Sequence, residues 1–275
     1  MGKYLKKITT SRYYANIFKS NSDKIAELQS ILEDEKSRKT LDGILKAYKS
    51  IFRKPEFYFS HIAANECNNY HFTTDNGFKV YGTENPYFLD DIFSIDKKMV
   101  YLDGGAYVGD TIQLLFKLLG EPCEYTYAFE PNDVNFQKLT NTVKNFDDFV
   151  RCFEVGLDNR NGIVSFIDSD SGSRISEEGT VKITVIDIKE FLHDLRSKYP
   201  SFIKLDIEGK EPDVLAAMSD YISTNSPDLA ISVYHKLEDL WEIPLQIHNI
   251  NPEYKIYLRH QSNYFTETVC YATKK

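Results

Sequence analysis

The stretch VYLDGGAYVGDT, residues 100–111, decides the fold. The apolar run Val100–Leu102 ends in an acid, Asp103. Glycines follow at 104, 105 and 109, and a helical pattern begins at Asp110 and Thr111. An extended run, a glycine bend and a helix in that order form the ligand-binding turn of a doubly wound α/β sheet. Gly105 and Gly109 let the backbone bend tightly and come close to a ligand. The spacing is not the G-x-G-x-x-G of a dinucleotide turn. Asp103 also stands where a pyrophosphate wants helix amides and no competing anion. The bend therefore suits a ligand that carries a cation. Asp110 repeats the point, with a plain cap or first-turn acid as the alternative.

Working outward from the bend, strand and helix alternate. MVYLD, YTYAFE, VRCFEVGL, FIKLDIEG and DLAISVYH read as strands, and GIVSFI as an extra one after a turn at 159–162. GDTIQLLFKLL, NDVNFQKLTNTVKNF, EPDVLAAMSDYI and KLEDLWEIPLQIHN read as helices, and KITVIDIKEFLHDLRS as an extended piece running into a helix. Such alternation implies parallel strands joined by crossovers. The last two runs, YKIYLRH and ETVCYA, are separated by a short loop and are expected to pair antiparallel. Ligands in such a sheet sit at the carboxyl ends of the strands.

Residues 1–60 carry apolar positions at helical spacing, Ile25, Leu28, Ile31 and Leu32, then Leu41, Ile44, Leu45 and Tyr48, and Pro55 breaks the pattern. They are expected to form a helical cap on the main domain, over a substrate cleft, with a dimerisation arm as the alternative. The domain division expected is a cap or extension over 1–80 and the sheet domain over 81–275. ENPYFLDDIF, residues 84–93, reads as a pocket-lining or connecting segment.

The net charge of −8 argues against nucleic acid, whose phosphates need a dense basic surface. Cys67, Cys123, Cys152 and Cys270 are scattered without a C-x-x-C pair, as expected of reduced cytoplasmic thiols. The N-terminal stretch has no apolar signal core, Lys6 stands where myristoylation wants Ser or Thr, and no run approaches the ~20 apolar residues of a membrane span. A cytoplasmic location is the expectation.

Three acids end three strands: Asp103, Glu130 and Asp206. An acid at the end of the second strand commonly accepts hydrogen bonds from a ribose. A carboxylate for an amine and a carboxylate for a ribose fit adenosine with an amino-acid tail, as in S-adenosylmethionine, whose sulfonium also favours an electronegative pocket. A nicotinamide-dependent oxidoreductase is the competing enzyme class, and the glycine spacing and the acid at the bend count against it.

VYLDGGAYVGDT, YAFEPND, VGLDN, FIKLDIEGKEPDVL and YLRHQSNYFTETVCYA together resemble the FkbM family of S-adenosylmethionine-dependent methyltransferases, over residues 85–272. The resemblance implies the seven-stranded class I methyltransferase sheet with its reversed final strand, and methylation of hydroxyls on sugars or related small molecules. It assigns the methionine end of the cofactor to Asp103, Gly105 and Gly109, with Tyr107, Asp110 and Thr111 in the same bend. Glu130, followed by Pro131, takes the ribose, and Gly156 to Asp158 lie near adenine. The product would be S-adenosylhomocysteine.

Methyl transfer to an alcohol needs an oriented acceptor and a base for its proton. If the strand continues through KLDIEG, Asp206 and Glu208 point to the same side. A salt bridge from Glu208 to Lys204 or Lys210 is the structural alternative. His235 follows the next strand and is the leading base candidate, and His260 in the terminal hairpin turn is a weaker one. His61, His71, His193 and His248 read as structural or exposed. Asp206, Glu208 and His235 would also suit a divalent cation, a minority option without a spacing signature. Other acceptors (a phosphate, a nitrogen or a carboxyl of a small molecule) and a non-catalytic adenosine-ligand-binding subunit are the remaining alternatives.

Overall fold

The computed structural model describes residues 13–49, 70–73, 79–82, 85–167, 174–175, 181–262 and 265–274. Helices α1 (Ser22–Ile31) and α2 (Glu35–Lys49) precede a two-stranded antiparallel hairpin, β1 (Tyr70–Thr73) and β2 (Lys79–Gly82). The alternating part then runs β3 (Val100–Gly104), α3 (Asp110–Leu119), β4 (Tyr125–Phe129), α4 (Asp133–Val143) and β5 (Val150–Phe153). Four short strands follow: β6 (Gly156–Asp158), β7 (Gly162–Ile167), β8 (Arg174–Ile175) and β9 (Val181–Asp187). The chain continues through α5 (Ile188–Asp194), β10 (Phe202–Leu205), α6 (Glu211–Ala217), α7 (Ser219–Asn225), β11 (Asp228–Ser232) and α8 (Asp239–Ile250), and closes with β12 (Lys255–His260) and β13 (Thr268–Thr273).

The main sheet has seven strands in the order β12-β13-β11-β10-β3-β4-β5. Pairing is parallel from β11 to β5, while β13 pairs antiparallel with both β11 and β12. The reversed strand β13 is thus inserted inside the sheet, and every one of its residues is buried. Burial on both faces explains the near-continuous apolar runs of β3 and β10. The chain leaves β3 toward β4 on one side and reaches β10 on the other, so the ends of β3 and β10 form the topological switch point.

Two sequence expectations change here. VRCFEVGL is not one strand: β5 ends at Phe153, and from Gly156 the chain joins a separate four-stranded sheet, β6-β9-β7-β8. The helix expected over 211–222 is broken at Met218 into α6 and α7. The N-terminal helices pack beside the sheet, and the end of α2 reaches the segment after β11, where Ile44 and Tyr48 lie beside Val233 and Tyr234. Phe18 meets Trp241 of α8 edge-on at 6.3 Å, Leu32 bridges Ile256 of β12, and buried Arg259 of β12 pairs with Asp34 at 2.7 Å. These contacts bury α1 and α2 on the β12 edge of the core. Pro55, His61 and Cys67 lie outside the described residues; Cys123, Cys152 and Cys270 are free thiols.

Candidate active site

A cavity of about 460 Å³ opens at the carboxyl ends of β3, β4 and β10. Its floor is the bend after β3. Gly105 and Ala106 donate their backbone N–H groups to Phe129 O, at 3.0 and 2.9 Å, which ties the bend to β4. Gly105 has φ +77°, and a Cβ placed there would stand 1.9 Å from the carbonyl oxygen of Asp206. Only glycine fits. Gly105→Ala is expected to destabilise the fold by at least the ~1–2 kcal/mol of left-handed strain and to push Asp206 out of place. Thermal unfolding and cofactor titration of that variant check both effects. Gly109, at φ +83°, takes the N-cap of α3, so Asp110 is a first-turn acid facing the cavity rather than the cap.

Glu130 follows β4. Its Oε2 accepts the Tyr107 N–H and its Oε1 the Asn132 N–H, each at 2.9 Å. Burial pushes its carboxyl upward, against the pull of those two N–H groups. Each oxygen keeps a second lone pair for a ligand hydroxyl. Tyr107, Thr111 and Pro131 also line the cavity, and Gly156, Leu157, Ile183 and Val185 of the second sheet make an apolar wall, with Gly156 beside Pro131. Tyr87, from the ENPYFLDDIF segment, lines it as well, while Phe88 and Phe93 of that segment pack on Tyr101, Phe202 and Tyr271.

Two expected cofactor contacts do not reach the cavity. Asp103 is fully buried behind the bend, opposite Lys204 in the register of β3 and β10, and pairs with Lys204 Nζ at 3.0 Å. Burial raises the Asp103 carboxyl and the Lys204 charge opposes that rise; Lys204 itself is lowered by burial but raised on balance by Asp103. Lys204 also donates to Gly105 O at 2.6 Å. The pair therefore braces the bend from beneath. Asp158 is likewise fully buried and holds Lys210 at 3.3 Å, so Gly156 and Leu157 face the cavity without it.

The catalytic candidates separate. β10 ends at Leu205, and the chain turns through Glu208 at φ +60° and Gly209 at φ +88°. The same-side argument from a continued strand thus fails, yet the turn still brings both Asp206 and Glu208 to the cavity. Tyr87 and Tyr234 donate their hydroxyls to Asp206, each at 3.0 Å. Burial and the Asp206 charge push both phenols upward, so both stay protonated donors. His235 Nε2 lies 3.3 Å from Asp206 Oδ1 and 3.5 Å from Glu208 Oε2, and its Nδ1 lies 3.1 Å from Glu211 Oε1. Burial lowers the imidazole, but the carboxylates of Glu211, Asp206 and Glu208 outweigh it and bring it up to about 9. An imidazole held protonated at neutral pH has no lone pair to act as a base. Burial raises Glu208 to about 7, with His235 opposing. Glu208, not His235, is the group suited to accept a proton. Its partner is His235 rather than a lysine, because Lys204 is held by Asp103 and Lys210 by Asp158 and Asp213.

His260 is the last residue of β12 rather than a turn residue, fully buried with Nδ1 2.8 Å from Thr268 Oγ1, and outside the cavity. Glu267, in the connection before β13 at φ +66°, does line the cavity. Glu267, Tyr234 and Glu211 do not stand out in the sequence, since each arrives through a turn or a helix start with no periodic signal, whereas Tyr87 lies in the 84–93 segment read as pocket-lining or connecting. Among the described residues, Asp206, Glu211 and His235, rather than the set with Glu208, come close enough to share a metal ion.

The reversed seventh strand and the cavity at the switch point define the class I methyltransferase fold. Residues 103–262 match the Methyltransferase FkbM domain family, more than half of the chain, and the chain belongs to that family. A crystal structure of an FkbM methyltransferase from Methylobacillus flagellatus KT superposes with a TM-score of 0.72 at 23% identity, over 94% of this chain and 60% of that one. A curated relative, the hexuronic acid methyltransferase AglP of Haloferax volcanii, is 29% identical over 102 residues, 36% of this chain and 43% of its own length. The chain thus spans less than two thirds of either relative.

Proposed function

We propose that the protein transfers the methyl group of S-adenosylmethionine to a hydroxyl of a sugar, glycan or related small molecule. The observation that carries this reading is the cavity at the switch point, with Glu130 at the end of β4 and an acidic lining. Asp110, Glu130, Asp206, Glu208 and Glu267 face it against Lys204 and Lys210, both already engaged by buried aspartates. Excess carboxylate suits a cationic ligand and opposes a phosphate.

When bound, the cofactor supplies an electrophilic methyl on a sulfonium. Glu130 holds the ribose hydroxyls through its free lone pairs, and the apolar wall of Leu157, Ile183 and Val185 receives the adenine. Asp110 faces the amino-acid tail, a role the sequence reading gave to Asp103 as well. Glu208 accepts the acceptor's proton, and Asp206, held by two tyrosines, fixes the turn that presents it. A neutral acceptor fits this lining better than an anionic one, so a sugar hydroxyl is preferred over the carboxylate of a hexuronic acid. No described helix is long and apolar enough to cross a membrane.

Calorimetric titration of S-adenosylmethionine into the purified protein tests the reading. Glu130→Ala removes charged hydrogen bonds worth about 1.5–3 kcal/mol, and is expected to weaken binding by roughly 10- to 150-fold. Undetectable binding by the wild type, or wild-type binding by Glu130→Ala, would sink it.

A further inference from the structure

We infer that Asp206, Glu211 and His235 form a binding site for one divalent cation of the Mn²⁺ or Zn²⁺ type at the edge of the cavity. One ligand atom from each residue lies within 4.8 Å of those of the other two. An ion at the centre of such a triangle stands roughly 2.8 Å from each atom at most, so shifts of under an ångström reach the ~2.1 Å of a coordination bond. The residues come from the end of β10, the first turn of α6 and the segment after β11, each held by backbone structure.

Two further observations single out this cluster from an ordinary acidic surface. Glu211 is fully buried, and its Oε2 has no hydrogen-bond partner. The His235 side chain is only 10% exposed and sits between two members of the cluster, Nδ1 3.1 Å from Glu211 Oε1 and Nε2 3.3 Å from Asp206 Oδ1. Buried polar atoms without partners are rare and call for a ligand, an ion or a water. The charge balance points the same way. Glu208 lies 3.5 Å from His235, and Glu267 and Asp239 are near enough to interact electrostatically with the cluster. The nearest described cations are committed elsewhere, Lys204 to Asp103 and Lys236 to Gly209 O at 2.7 Å. A divalent ion that displaces the His235 proton to solvent exchanges one positive charge for two, which offsets the surrounding carboxylates.

Two carboxylates and one imidazole form a mixed oxygen and nitrogen set, which selects Mn²⁺ or Zn²⁺ over Ca²⁺. Tyr87 and Tyr234 donate to Asp206 in the way outer-shell groups orient a ligating carboxylate. Glu208, 3.5 Å from His235, is not one of the three ligands and keeps its place on the cavity wall as the base. An ion here would hold the acceptor oxygen beside Glu208, and in that use alone the inference rests on the methyl-transfer reading.

The test is Mn²⁺ titration of EDTA-treated full-length protein, with no cofactor or acceptor present, followed by calorimetry and by loss of the free Mn²⁺ electron paramagnetic resonance signal. One Mn²⁺ per chain is expected, with a rise in Tm on binding. His235→Gln and Glu211→Gln should each weaken binding at least 10-fold and abolish the Tm rise. Because Glu211 also accepts the Ile207 N–H and its variant risks misfolding, Asp206→Asn gives a third reading of the same loss. Absence of stoichiometric binding with both Mn²⁺ and Zn²⁺, or wild-type binding in a folded His235→Gln or Asp206→Asn protein, overturns the site. Failure of S-adenosylmethionine binding with Mn²⁺ binding intact would instead strike the methyl-transfer reading alone.

Discussion

Glu208→Gln is expected to lower kcat by roughly 10²–10⁴-fold, the usual contribution of a positioned general base, with cofactor affinity nearly unchanged. Glutamine keeps the shape of the side chain but cannot take a proton. The backbone at 208 is held at φ +60° by the tight turn that ends at Gly209, and an isosteric change leaves that turn alone. Residues held in sparsely populated backbone regions concentrate at functional sites, where the surrounding structure imposes the strain. Here the turn swings Glu208 to the cavity wall beside His235. His235 is not an alternative base, because its ring is bracketed by carboxylates at both nitrogens. The measurement is single-turnover methyl transfer to a panel of sugar acceptors, with cofactor binding by calorimetry as the control. A kcat within threefold of wild type would remove Glu208 from the chemistry.

The second large effect concerns stability. Asp103→Ala is expected to cost about 3–5 kcal/mol, because it leaves the buried Lys204 cation without its counter-charge. Asp103 is fully buried and the Lys204 side chain is 3% exposed, so water cannot replace the lost partner. Loss of the pair also frees the Lys204 ammonium from its place under Gly105 O, which loosens the bend and weakens cofactor binding. The double variant Asp103→Leu with Lys204→Met should recover most of the stability, since a buried ion pair replaced by apolar groups of similar volume is often neutral. Urea unfolding midpoints of the single and double variants check this. Equal destabilisation of the two would mean that packing, not charge, holds the site together.

Much of the architecture is legible in the amino-acid order because it depends on local chemistry. VYLDGG reads as strand and bend because apolar residues precede glycines with no Cβ to clash. YAFEPND reads as strand and helix start because Asn132 caps α4, accepting the Asn135 N–H at 3.0 Å. The terminal pair reads as a hairpin because its loop is too short for a crossover. The break of VRCFEVGL into two sheets is not legible, since nothing in that run signals a change of partner.

Part of the cavity lining follows from sequence to the same degree. Gly105 and Glu130 directly follow β3 and β4, and strand ends at a switch point face the cavity whatever else the chain does. The roles of the charged residues do not follow. An acid at a strand end looks the same whether it points to a ligand or to a lysine one strand away. Asp103 faces Lys204 only because β3 and β10, a hundred residues apart, pair in the register that sets the two side by side. His235 reads as a base in isolation and becomes a cation or a metal ligand only when Asp206, Glu208 and Glu211 close around it. Strand, bend and strand-end acids were determined by the sequence itself, through local propensity and spacing. Which acid holds the fold, which meets the cofactor and which takes a proton was decided by tertiary structure, because burial and neighbouring charge, not residue type, set what a carboxylate does.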